Sequence, residues 1–145
     1  MKHIPLVSLR LVRERSVPYE SRTLKNSAAI FDLFRAMVQD LDREAVWLAC
    51  LDTKNRLACL SQVSVGSLDS SLVHPREVMK TALLASASAI VLVHNHPSGD
   101  PTPSREDEAI TQRIKGAADL LGVRFLDHVI IGDGDYFSFT DQGRL

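Results

Sequence analysis

This chain of 145 residues holds only two cysteines, one tryptophan, 6% aromatic residues and no long uninterrupted apolar run. Cys50 and Cys59 are too few for a disulfide framework and lack Cys-x-x-Cys spacing, so a disulfide-stapled secreted scaffold is excluded and both are expected as buried free thiols. No apolar stretch reaches membrane-spanning length, and the N-terminus has no secretory core, so a cytoplasmic protein without a membrane partner is expected. There is no internal repeat, no low-complexity segment and no excess of charge. Net charge is -1, so no global positive field draws the chain to nucleic acid. Arg10, Arg13, Arg15, Arg22 and Lys25 make only the N-terminal segment basic, read here as a solvated arm. What is present is a 45% hydrophobic composition, enough for one compact core.

In chain order, Leu6 to Val12 alternates partly and predicts a first strand, and Arg13 to Lys25 an extended arm. Residues 1–23 are thus expected as strand and arm, and 24–145 as the domain proper. Ser27 is expected to cap a helix with Ile30, Leu33, Phe34, Met37 and Leu41 on its core face. Ala45 to Leu51 predicts a buried strand with Trp47 in the core. Asp52 to Asn55 has turn chemistry, Arg56 to Val65 returns as hairpin partner, and Gly66 to Ser71 reads as a polar loop. A helix starting at Pro75 turns Val78, Met79, Ala82 and Leu83 inward. The apolar run Ala89 to Val93 predicts a central strand. Arg105 to Leu121 predicts the longest helix, with Ile110, Ile114, Ala117, Ala118 and Leu121 buried and Gly122 ending it. Val123 to Ile131 and Tyr136 to Phe139 are expected as strands around a tight turn at 132–135. The order implies an α/β sandwich with a mixed sheet and flanking helices.

The chemistry concentrates where the central strand ends. His94 and His96 are two apart and project to one side of an extended backbone. A loop with Pro97, Gly99, Pro101 and Pro103 follows, and Asp107 lies in the first turn of the next helix, within reach of both imidazoles. Two imidazoles and a carboxylate leave a fourth tetrahedral position open, the arrangement of a catalytic zinc. Ser104-x-x-Asp107 is equally a helix capping box in acidic form, needing no metal. Spacing alone leaves both readings open, and they are compatible.

His94-x-His96, seven residues, Ser104, two residues and Asp107 together resemble the complete motif of the JAMM (MPN+) metalloproteases. Leu-Val-His-Asn-His-Pro-Ser-Gly-Asp-Pro-Thr-Pro-Ser, Val-His-Pro-Arg-Glu-Val at 73–78 and Leu-Asp-His-Val-Ile-Ile-Gly-Asp-Gly at 126–134 resemble its RadC branch. The resemblance runs from about Leu24 to the C-terminus. It implies a cytidine deaminase-like sandwich, one Zn2+ on His94, His96 and Asp107, and hydrolysis of a peptide or isopeptide amide in a protein or peptide partner. Longer RadC proteins carry a helix-hairpin-helix DNA-binding region, which is not expected in a chain this short.

Zinc lowers the pKa of its water towards about 7, and amide hydrolysis then needs a base to shuttle the proton. The resemblance puts a glutamate at the helix-to-strand junction, which Glu44 matches; Glu77 is the fallback. Glu106 and Glu108 flank Asp107, so about 100° of helix rotation per residue turns them away. Ser104 is expected both to cap the helix and, by the resemblance, to stabilise an oxyanion. Asp127 is a candidate to orient a ligand imidazole, and His74 and His128 are expected to make structural hydrogen bonds. His3 is expected in a disordered terminus. Two other classes remain: a DNA-repair protein or nuclease, the role attached to the RadC name, and a non-catalytic metal-binding adaptor. A contiguous His-Asn-His argues against an HNH nuclease, whose residues are dispersed, and the retained motif argues against the adaptor. The Pro-Cys-x-x-Cys ligand pair of nucleobase deaminases is missing. Metal identity beyond a divalent ion and oligomeric state are not read from the sequence.

Overall fold

The computed structural model describes residues 1–65 and 73–145; the polar loop expected at Gly66 to Ser71 lies outside the described residues. The elements are α1 (Ser27–Val38), β1 (Ala45–Leu51), β2 (Leu57–Val65), α2 (Pro75–Leu84), β3 (Ala89–Asn95), α3 (Arg105–Leu121), β4 (Arg124–Ile131) and β5 (Tyr136–Ser138). They follow the expected order except for its first strand. The sheet order is β2-β1-β3-β4-β5, with β3 and β4 parallel and the other neighbours antiparallel. A parallel pair needs a crossover, and α3 supplies it.

Alternation along the central strands divides the core into two layers. Ala89, Val91 and Val93 pack with Ala49, Leu51, Ile30, Phe34 and Val38 on the α1 side. Ile90 and Leu92 pack with Val46, Leu48, Val78, Ala82, Ile110 and Ile114 on the α2–α3 side. Strands buried on both faces need no polar alternation, which is why β1 and β3 read as continuous apolar runs. His94 continues the series of Ile90 and Leu92 and so faces α3.

Several expectations are corrected. Leu6 to Val12 forms no strand and its apolar side chains are exposed. Alternation supplies only local preference, and a strand needs a neighbour; the arm meets the sheet only near its end, at the Thr23–Arg56 bridge. Asn26, not Ser27, caps α1, accepting from Ala29 N at 2.9 Å. Ser27 is buried and bonds the Tyr136 hydroxyl and the Asp141 carboxylate. Leu41 lies past the end of α1 and is exposed, and Val38 takes its place in the core. Leu83 and Leu121 are also exposed, each in the last turn of its helix, while Ala82 and Ala118 beside them are buried. Cys50 is buried, but Cys59, opposite it on edge strand β2, is only half-buried; both are free thiols. Trp47 is half-buried against the α1-side core. Gly122 ends α3 in the left-handed region at φ 72°, as expected. No described helix is long and apolar enough to cross a membrane.

Candidate metal centre

The end of β3, the loop behind it and the start of α3 build the site. His94 is fully buried, Asp107 has a side chain 2% exposed and His96 one 12% exposed. The loop between them is fastened rather than free. His96 N donates to Ile131 O at 2.8 Å, and Asp133 N donates to Gly99 O at 2.9 Å. Gly99 sits at φ 89°, and a Cβ on Gly132 would stand 2.3 Å from Gly99 O, so this crossing of two loops requires glycine. A cleft of about 480 Å³ opens on the α1 side, with Asn95, His96, Phe31 and Arg35 in its wall.

Three ligand atoms converge. His94 Nε2 lies 3.0 Å from His96 Nε2 and 3.3 Å from Asp107 Oδ1; His96 Nε2 lies 3.1 Å from Asp107 Oδ2. The three residues form a group able to hold a metal ion, with ligand atoms within 4.8 Å of one another. Their outer hydrogen bonds decide what these atoms offer. A main-chain carbonyl only accepts, so Asp100 O takes the Nδ1–H of His96 at 2.8 Å. Likewise Asp107 O takes the hydroxyl proton of Thr111 at 2.6 Å. The Thr111 oxygen then accepts from Nδ1–H of His128 at 2.6 Å, and His128 Nε2 accepts from Nδ1–H of His94 at 2.8 Å. Both ligand histidines, when neutral, thus carry lone pairs on Nε2, aimed at a carboxylate that also only accepts. Three acceptors so close cannot satisfy one another. A cation would complete the cluster, and the residues fit a divalent metal of the kind that imidazole and carboxylate ligands hold.

The ionisation preferences agree. Burial holds His94 below its usual pKa despite the nearby Asp107 carboxylate, and burial holds His128 well below it. Burial also opposes charge on His96, but Asp107 and the Asp100 carbonyl outweigh it and raise that group. Burial pushes the Asp107 carboxyl up, and the facing imidazoles more than reverse this, leaving it below the usual carboxylate range. Metal binding at His96 and Asp107 would therefore compete with protons and strengthen as pH rises.

Ser104 and Asp107 form the capping box as well. Ser104 Oγ accepts from Asp107 N at 3.1 Å, and Asp107 Oδ2 accepts from Ser104 N at 2.8 Å. The cap orients the ligand rather than competing with it. Glu44 immediately precedes β1. The antiparallel register pairs Val46 with His94, so Glu44 lies at the same end of the sheet as the two histidines. The Glu44 carboxylate accordingly favours the charged form of both His94 and His96.

Other expectations fall away. Glu77 is exposed and paired with Lys80 at 2.7 Å, Glu106 is exposed, and Glu108 pairs with Arg144. Asp127 does not orient a ligand: it accepts from Ser138 Oγ at 2.5 Å and Thr140 N at 3.1 Å. Adjacent residues of β4 face opposite sides, so only His128 meets His94. The structural bond expected of His128 is present, but the imidazole of His74 makes none among the described residues and does not cap α2. Thr111 was missed, although its place four residues after Asp107 puts it on the same face of α3.

Fold and site together define an α/β domain with a candidate metal centre at the end of its central strand. The family described as RadC-like JAB domain matches residues 24–144, and the chain belongs to it. Among its relatives are proteins named UPF0758. That of Pelobacter propionicus is 54% identical over 80% of this chain and 51% of its own length. That of Thermotoga maritima is 48% identical over 84% of this chain and 54% of its own. That of Methanosarcina barkeri is 42% identical over 90% and 57% respectively. The chain thus spans about half the length of the curated relatives it matches.

Proposed function

We propose that this chain is a zinc-dependent hydrolase acting on a peptide or isopeptide amide, with a protein or peptide as partner. The observation that carries this reading is the convergence of two lone-pair Nε2 atoms and the Asp107 carboxylate at one spot. His94, His96 and Asp107 would hold the ion. Zinc bound there supplies Lewis acidity and water deprotonated near neutral pH. Glu44 takes the water proton and returns it to the leaving amide nitrogen. Ser104 Oγ accepts from Asp107 N, and accepting leaves its O–H able to donate. That O–H donates to the oxyanion of the tetrahedral intermediate. Thr111 and His128 hold the His94 ring in the ligating tautomer. The unpaired thiols of Cys50 and Cys59 suit a reducing, cytoplasmic location.

The test is an assay of one zinc-loaded preparation on a fluorogenic peptide panel and on single-stranded and duplex DNA. Peptide cleavage that is lost in His94→Ala is expected. DNA cleavage without peptide cleavage, lost in the same variant, would replace this reading with the nuclease one.

A further inference from the structure

Asn95 stands between the two histidine ligands, but strand alternation turns its side chain to the opposite face of β3 from His94. There it is 3% exposed and both ends of its amide are engaged. Asn95 Oδ1 accepts from Ala45 N at 2.8 Å, and Asn95 Nδ2 donates to Arg43 O at 3.0 Å. These partners are the main-chain groups on either side of Glu44, fifty and fifty-two residues away in sequence.

We infer that Asn95 is a positioning residue for Glu44, a role that rests on the reading of Glu44 as the base. The segment 43–45 enters β1 from an exposed turn, and ordinary ladder pairing between β1 and β3 ends at Val46–His94. Beyond that point one side-chain amide spans the segment and fixes the backbone before and after residue 44. The clamp hangs from the same strand end that carries His94 and His96, so ligands and base share one rigid support. Only an amide of this length does both jobs. Aspartate keeps the acceptor for Ala45 N–H but turns a carboxylate oxygen towards the Arg43 carbonyl, and alanine loses both bonds. The bond to Ala45 N is buried, so its loss is not made good by water without movement of the segment.

The test is carbon-13 NMR of glutamate side-chain carboxyls in the full chain, titrated with zinc, with the Glu44 resonance assigned by its loss in Glu44→Gln. Melting temperature and zinc stoichiometry are measured on each variant. In wild type the Glu44 signal is expected to move on zinc binding. In Asn95→Ala the movement is expected to fall to about half or less with zinc still bound one per chain. Should Asn95→Ala fail to fold, the near-isosteric Asn95→Asp decides alone, with a reduced movement expected. A variant that melts lower yet keeps the full Glu44 response would make Asn95 merely structural and overturn the inference, leaving the Glu44 reading intact. Loss of zinc itself in Asn95→Ala would overturn it too, by showing that Asn95 supports the strand end holding the histidines rather than Glu44. A wild-type signal indifferent to zinc would sink both the base assignment and the clamp.

Discussion

Glu44→Gln is expected to lower amide hydrolysis by about 10²- to 10⁴-fold, the range for removal of a general acid–base, with metal content unchanged. Glutamine keeps the size of the side chain and cannot accept a proton. Glu44 is tied to the centre by charge, favouring the protonated forms of His94 and His96, whereas the group identified as able to hold an ion comprises only His94, His96 and Asp107. Activity and metal should therefore separate. The measurement is kcat/KM on whichever peptide the panel identifies, with zinc measured on the same sample. A variant retaining activity within about tenfold would remove Glu44 from the proton path. A variant losing zinc would make Glu44 a ligand instead.

Ser104→Ala is expected to reduce kcat by about 10²- to 10³-fold, equivalent to the roughly 2.7–4 kcal/mol of one oxyanion donor. Stability should fall by only about 1 kcal/mol, as for loss of an N-cap. The two roles use different parts of one hydroxyl: its oxygen accepts from Asp107 N at 3.1 Å, and its proton is left for substrate. The half of the capping box formed by Ser104 N and Asp107 Oδ2 is main chain to carboxylate and survives the substitution, so Asp107 stays oriented and zinc should remain. Thermal melting and steady-state kinetics on the same preparation distinguish the roles. Lowered melting with undiminished kcat would reduce Ser104 to a helix cap.

The grouping of His94, His96 and Asp107 was legible because it is local: a two-residue strand spacing and a first-turn carboxylate, all within fourteen residues of sequence. The element order was legible for a similar reason, since continuous apolar runs and helical periodicity record burial directly. What escaped is what distant partners decide. The bonds of His94 to His128 and of Asn95 to Ala45 span 34 and 50 residues, and no local pattern encodes them. Asp127, a candidate to orient an imidazole, stands one residue from His128, which meets His94; on a strand one residue exchanges one face for the other. Leu41, Leu83 and Leu121 were assigned inward by extending a helical face into or past the last turn, where all three are exposed. Leu6 to Val12 has the pattern of a strand but finds no neighbouring edge.

The most direct test is metal content by elemental mass spectrometry, wild type beside Asp107→Ala, after reconstitution with zinc and removal of excess ion. The geometry predicts about one zinc per chain in wild type and essentially none in Asp107→Ala, since removing the carboxylate leaves two imidazoles and no anionic ligand. Zinc absent from wild type, or bound equally by Asp107→Ala, would contradict the centre, and would leave Ser104 and Asp107 as a helix cap alone.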